Sequence, residues 1–179
     1  MANLNDLPHE FDRDKRESKA IIETPKGHRN KFKYEEDAEI FLLSNVLPEG
    51  FSFPFDFGFI PSTRAGDGDA LDVMVLMDEP AYPGCMLDIR LIGVVEATQT
   101  EKGKKTKNDR LIAVAMKSLQ FGEFHDIADL PQSLVKQITD FLALYNKDSP
   151  KRDTITGVAG PDRAIELLEK AIAERDKSS

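Results

Sequence analysis

Cysteine is almost missing from this chain. Cys85 is the only one among 179 residues, so no internal disulfide and no multi-cysteine metal cage can form. Histidine is nearly as scarce, and His9, His28 and His125 are too scattered to suggest a metal triad. No apolar run approaches the ~18 residues that span a bilayer. The charged N-terminus lacks the apolar core of a signal peptide, so a cytoplasmic location with no membrane partner is expected. There is no GxSxG elbow, P-loop or Rossmann glycine fingerprint, and no internal repeat. Excess positive charge is missing too. A net charge of −8 argues against nucleic acid as a partner. An anionic substrate would then need a local reversal of the field, by divalent cations and clustered Lys and Arg.

The composition that remains is that of an ordinary globular protein, 40% apolar. Its length predicts one domain over residues 1–179, with polar residues 1–18 as a loosely held N-terminal arm. A strand is expected from Ala20-Ile21-Ile22-Glu23, then a basic loop holding Lys26, Arg29, Lys31 and Lys33, with a short half-exposed strand at Phe32 and Tyr34. Residues 51–61 carry an aromatic at every second position, which predicts a strand with one dense face. Further strands are expected at 73–77, 86–98 and 111–116, with a charged hairpin loop over 99–108. Leu134, Ile138, Phe141, Leu142 and Tyr145 recur at helical spacing after Pro131, and Ala164, Ile165, Leu168, Ala171 and Ile172 do so after Pro161. Many short strands followed by two helices predict a mainly β, α+β fold: a small β-barrel flanked by C-terminal helices.

The stretch that carries most chemistry is Asp67-Gly68-Asp69-Ala70-Leu71-Asp72, which runs straight into Val73-Met74-Val75-Leu76-Met77. Three carboxylates within six residues repel one another unless a cation neutralises them, and hard cations such as Mg²⁺ prefer such oxygen ligands. A solvated acidic turn is the plain alternative. Against it, Asp72 enters a very apolar strand, where an unpaired charge is costly. An EF-hand is excluded, because Leu71 and Asp72 fall where that loop needs an oxygen ligand and a glycine. The basic stretch from Lys26 to Lys33, a solvated face if read alone, gains meaning beside a metal cluster. Carboxylate-held cations with a ring of Lys and Arg are the equipment of phosphoryl transfer. Cys85, between Gly84 and Met86, reads as a packed thiol.

These residues together resemble a known family. Asp67-Gly68-Asp69-Ala70-Leu71-Asp72 resembles the D-x-D-P-x-D signature of the soluble family I inorganic pyrophosphatases. Ile22 to Gly27, Asn30-Lys31, Phe53 to Pro61, Pro83-Gly84-Cys85, Asn108 to Val114 and Asp129 to Tyr145 follow in family order, so the resemblance covers roughly residues 20–147. It implies a closed OB-like β-barrel, a homo-oligomer, and Mg²⁺-dependent (or Mn²⁺-dependent) hydrolysis of pyrophosphate to two phosphates by a metal-activated water. By motif position Asp67 and Asp72 would be metal ligands, Asp69 would bind metal and deprotonate the water, and Glu23 matches an active-site glutamate. Lys31 and Tyr145 match phosphate-contacting positions.

The departures from the family pattern are also specific. Ala70 replaces a proline, and Lys33 stands where the family usually has an active-site glutamate. Asn45 falls on a phosphate-binding arginine, and Phe53 and Phe57 replace tyrosines. Gln99 and Asn108 fall on two metal-binding aspartates, with Asp109 one residue from the second. Arg110 replaces a lysine, keeping its charge with different geometry. Asn146 replaces another, with Lys147 next to it. The expectation is a divergent member with fewer or weaker metal sites, using Lys33 in place of a cation. The alternatives are a hydrolase of another phosphoanhydride, such as a nucleotide or organic diphosphate, and a non-catalytic metal- or phosphate-binding homologue.

Overall fold

Two strands that read as continuous apolar runs lie side by side and in parallel. They are β5 (Leu71–Leu76) and β8 (Arg110–Ala115), with Val73 opposite Leu111 and Leu76 opposite Val114. A parallel pair is buried on both faces, which is why neither sequence alternates with polar residues. Val73, Val75, Leu111 and Ala113 point into one core, and Met74, Leu76, Ile112 and Val114 into another. This is the computed structural model of the chain, and it describes residues 3–146 and 150–177.

The remaining strands are β1 (Glu17–Thr24), β2 (Asn30–Glu35), β3 (Ile40–Val46), β4 (Asp56–Ile60), β6 (Met86–Glu101), β7 (Lys104–Lys107) and β9 (Lys151–Ala159). The sheet runs β1-β4-β5-β8-β6, and pairing of β6 back onto β1 closes it into the expected small OB-like barrel. The long β6 leaves the barrel at its far end and pairs with β7 and β9 there. Helix α1 (Gln132–Leu144) lays Ile138, Phe141 and Leu142 on the core that holds Met74 and Ile112. Helix α2 (Pro161–Asp176) lays Ala164, Ile165, Leu168 and Ala171 on the other. The two periodic segments are thus the two flanking helices. Between them runs a strand, β9, which the sequence reading did not expect.

Three local expectations are corrected. The aromatic alternation over 51–61 is strand only at Asp56–Ile60. Phe53 and Phe55 are buried from irregular chain around Pro54, so alternation there reports burial and not pairing. Residues 99–108 are mostly paired strand, with only Lys102 and Gly103 turning between β6 and β7. Cys85 is exposed, because its backbone and not its thiol faces the barrel: the Cys85 carbonyl accepts from the Ile22 N–H at 3.0 Å.

At the N-terminus, Leu4 and Leu7 pack on Ile21, Tyr34 and Phe59, and the Ser62 N–H donates to the Asn5 carbonyl at 2.7 Å. The hairpin β2–β3 is a separate two-stranded sheet. It joins β1 through side chains: the Thr24 hydroxyl accepts from the Phe32 N–H (2.9 Å), and the Glu23 carboxylate from the Tyr34 N–H (2.7 Å).

Glycine is required at position 58, where β4 crosses tightly between β1 and β5. A Cβ there would lie 1.9 Å from the Ile21 carbonyl oxygen and 2.9 Å from the Ile22 Cα, both backbone atoms. Gly58→Ala is expected to destabilise the fold by roughly 3 kcal/mol or more, since neither strand can yield without breaking its ladder. Urea denaturation of the variant beside the parent measures this, and equal midpoints would contradict it.

Candidate active site

Asp67, Asp69 and Asp72 all line one open cleft of about 1330 Å³. The loop that carries them is a turn and not an extended segment. The Ala65 N–H donates to the Asp69 carbonyl at 2.7 Å, and Gly68 takes φ +96°, a left-handed conformation that suits glycine. The Asp67 carboxylate accepts the Asp69 N–H at 3.2 Å. Asp72 already belongs to β5, so its backbone is fixed by the barrel.

Opposite the acidic loop, the hairpin brings Lys31, Lys33 and Asn45 to the cleft. Lys33 Nζ lies 2.8 Å from Asp69 Oδ2, with both side chains more than half exposed. Lys31 Nζ sits 5.1 Å above the Tyr145 ring. The Asn45 carboxamide oxygen is turned back to accept the Val46 N–H at 2.8 Å. Phe57 lines the floor, and its ring packs against Phe53.

Arg110 is the centre of the inner wall. It leads β8 and lies beside Asp72, the second residue of β5, and its side chain is 1% exposed. Its Nη2 donates to the Tyr145 hydroxyl at 3.0 Å, its Nε lies 3.5 Å from Asp72 Oδ2, and its Nη1 lies 3.4 Å from Asp153 Oδ1. Asp153, on β9, is fully buried and also accepts from Gln99 Nε2 (3.2 Å) and Asn146 Nδ2 (2.7 Å). Asp153 is the site residue that sequence reasoning missed. It lies in a strand with mostly exposed neighbours, and its only signal was one acid among Thr and Arg.

Of the other residues singled out from sequence, Glu23 and Asn108 line the cleft. Asp109 does not join them. Its carboxylate accepts the Ala97 N–H at 2.9 Å, because the alternation of the chain entering β8 turns it away from Asn108 and Arg110. Lys147 lies outside the described residues.

Burial pushes the Glu23 carboxyl up to about 7, with the Tyr34 N–H opposing the rise and the nearby Asp72 adding to it. Burial also raises Asp72, against the pull of Arg110 and Lys31. Glu23, Asp67, Asp69 and Asp72 offer carboxylate oxygens to the cleft, which fits a hard divalent cation. Among the described residues, however, no three acidic, His or Cys side chains are drawn together as a finished cage.

The inorganic pyrophosphatase family profile matches residues 20–176. The chain belongs to the inorganic pyrophosphatase family. An inorganic pyrophosphatase of Geobacillus stearothermophilus is 34% identical over 154 residues, 86% of this chain and 91% of that protein. One of Thermus thermophilus is 34% identical over 176 residues, 97% and 98% of the two chains. The crystal structure of an inorganic pyrophosphatase from Thermus thermophilus superposes with a TM-score of 0.89 at 31% identity, covering 98% of this chain and 99% of that one. Among the described residues no helix is long and apolar enough to cross a membrane.

For this pyrophosphatase-family site the Glu23 proton has a measurable consequence. The carboxyl binds its proton more tightly folded than unfolded. Its contribution to stability is therefore full below about pH 4.5 and is lost as pH rises through about 7. Ionising it in the fold costs on the order of 3 kcal/mol. In EDTA, Glu23→Gln keeps the acceptor for the Tyr34 N–H and removes the charge. Its melting temperature is expected to exceed the parent's at pH 8, with the gap closing by pH 5. A gap that is constant with pH would contradict the burial argument.

Proposed function

We propose that this chain hydrolyses inorganic pyrophosphate to two phosphates with the help of divalent cations, Mg²⁺ or Mn²⁺. The observation that carries the reading is the cleft itself. Asp67, Asp69 and Asp72 form one wall, and Lys31, Lys33, Arg110 and Tyr145 lie around them. The lining holds more acidic than basic side chains, so divalent cations on the aspartates, together with these basic groups, would reverse the field of a chain with net charge −8 where a diphosphate enters.

Asp67 and Asp72, with Glu23 behind them, are the residues that would hold a cation. Bound there, divalent cations supply Lewis-acid activation of a water and neutralise charge on the phosphoryl oxygens. Asp69 is the general base. It orients the water and takes its proton as the water oxygen bonds to phosphorus. The bridging P–O bond breaks on the opposite side, and its electron pair leaves with the second phosphate. Lys31 and Arg110 bind phosphoryl oxygens as cations, and the Tyr145 hydroxyl, already held by Arg110, donates a third contact. The proposal extends to a homo-oligomer, as the family resemblance implies, and to a cytoplasmic location.

Phosphate release from pyrophosphate tests this directly. Turnover is expected with Mg²⁺, lost in EDTA and restored by added metal. Asp69→Asn should lower kcat by roughly 10²- to 10⁴-fold, as expected for removal of a general base. A folded protein that releases no phosphate at any Mg²⁺ concentration would overturn the reading.

A larger phosphoanhydride is a second reading, favoured by the cleft's size and by Val46, Pro48, Phe51 and Leu144 along its margin. Faster turnover of a nucleoside triphosphate or an organic diphosphate than of pyrophosphate would decide for it. The reverse order would decide against it.

A further inference from the structure

Two of the three aspartates of the acidic loop are already matched by cations of the chain itself. Asp69 Oδ2 meets Lys33 Nζ at 2.8 Å, and Asp72 Oδ2 faces Arg110 Nε at 3.5 Å. Behind the inner wall the buried Asp153 carboxylate is engaged by Gln99, Asn146 and Arg110. The other polar side chains of that wall, Gln99, Asn108 and Asn146, are neutral amides. Glu23 has one oxygen engaged by the Tyr34 N–H. Of the three aspartates, Asp67 has no ion pair among the described residues, and its carboxylate accepts from the Asp69 N–H.

Lys33 differs from Arg110 in one respect that matters. Arg110 is locked in the wall, whereas Lys33 reaches across the cleft mouth from the separate hairpin β2–β3, where its backbone pairs with Leu42. An exposed ion pair of this kind adds little to stability. It does place a positive charge, at high local concentration, on the carboxylate that must handle the attacking water. A divalent cation bound to Asp69 on that side would have to displace the ammonium or sit within a few ångströms of it, against repulsion.

We infer that Lys33 is a tethered cation that fills one cation position of the cleft, so that the free protein loads fewer divalent cations than its acidic side chains could otherwise hold. The inference rests on the metal-dependent reading of the cleft proposed above. Under it, Lys33 pairs with the Asp69 carboxylate and holds it in place when little free metal is present. The metal that does bind is held on the Asp67 and Asp72 side. Lys33 is then a positioning residue acting through Asp69.

Metal binding without substrate tests this independently of turnover. Mn²⁺ bound per chain is counted by equilibrium dialysis and by the loss of the free-ion electron paramagnetic resonance signal. The parent, Lys33→Gln and Lys33→Glu are compared, and thermal melts in EDTA show that each is folded. Lys33→Gln is expected to tighten the weakest resolved Mn²⁺ site by about tenfold, as removal of one adjacent positive charge should. Lys33→Glu is expected to add about one Mn²⁺ per chain, because a further oxygen ligand replaces a repelling charge. Equal stoichiometry in all three proteins, with affinities within about twofold, would overturn the inference. If the parent binds Mn²⁺ and the variants shift as expected but none releases phosphate from pyrophosphate, the hydrolytic reading fails and the tethered cation stands. If the parent turns over pyrophosphate and the variants leave Mn²⁺ binding unchanged, the reverse holds.

Discussion

Everything in the cleft depends on the parallel pairing of β5 with β8. Because Val73 lies opposite Leu111, the residues just before them, Asp72 and Arg110, lie at the same level near the start of two neighbouring strands. A carboxylate and a guanidinium are thereby held side by side where two fully buried strands emerge into a solvent-filled cleft. Neither backbone can move without disturbing the cores on both faces of the pair. The close neighbours take their places from this one. Tyr145 is held through Arg110, Asp153 through the same guanidinium, and Asp67 and Asp69 through the short turn that ends in Asp72.

The charges are balanced along the same line. Arg110 is almost wholly buried, and such a cation is stable only with partners on several sides. Tyr145, Asp72 and Asp153 provide them, and the raised pKa of the guanidinium follows, with burial opposing and these three groups prevailing. Glu23 shows the opposite case. It lies deep between β1 and the hairpin with the Tyr34 N–H as its backbone donor, and burial raises its pKa against the weaker pull of that N–H and of Lys31 and Lys33. One cleft thus contains a locked cation and a carboxyl poised near neutrality.

Much of this was legible in the sequence, for reasons that can be named. The apolar runs at 71–76 and 110–115 and the helical spacings after Pro131 and Pro161 mark elements whose burial is nearly complete, so pattern and position coincide. The acidic loop was legible because like charges at that density need a reason. Strand β9 was not, since only Asp153 and a few half-buried residues along it turn inward, and a strand at a sheet margin leaves little periodic signal. Strand β3 has the opposite character: Ile40, Leu42, Leu43 and Val46 are apolar and yet exposed. Choosing between Asp109 and Asp153 for the inner wall required the path of β9, which brings a residue more than forty positions away onto Arg110. The assignment of Lys31 and Tyr145 came from family resemblance and not from spacing.

The hairpin β2–β3 has its own two-stranded ladder and meets the barrel through the side chains of Glu23 and Thr24 and the packing of Tyr34 and Phe41. Yet it contributes Lys31, Lys33 and Asn45, a large share of the polar groups facing the acidic loop. Folding and recognition are consequently written on different parts of the chain. The barrel determines whether the protein holds together, and the hairpin determines what charge confronts the aspartates. Variation at 31–45 can therefore retune the cleft almost independently of the scaffold, which offers both a route for divergence within one architecture and a compact target for redesign.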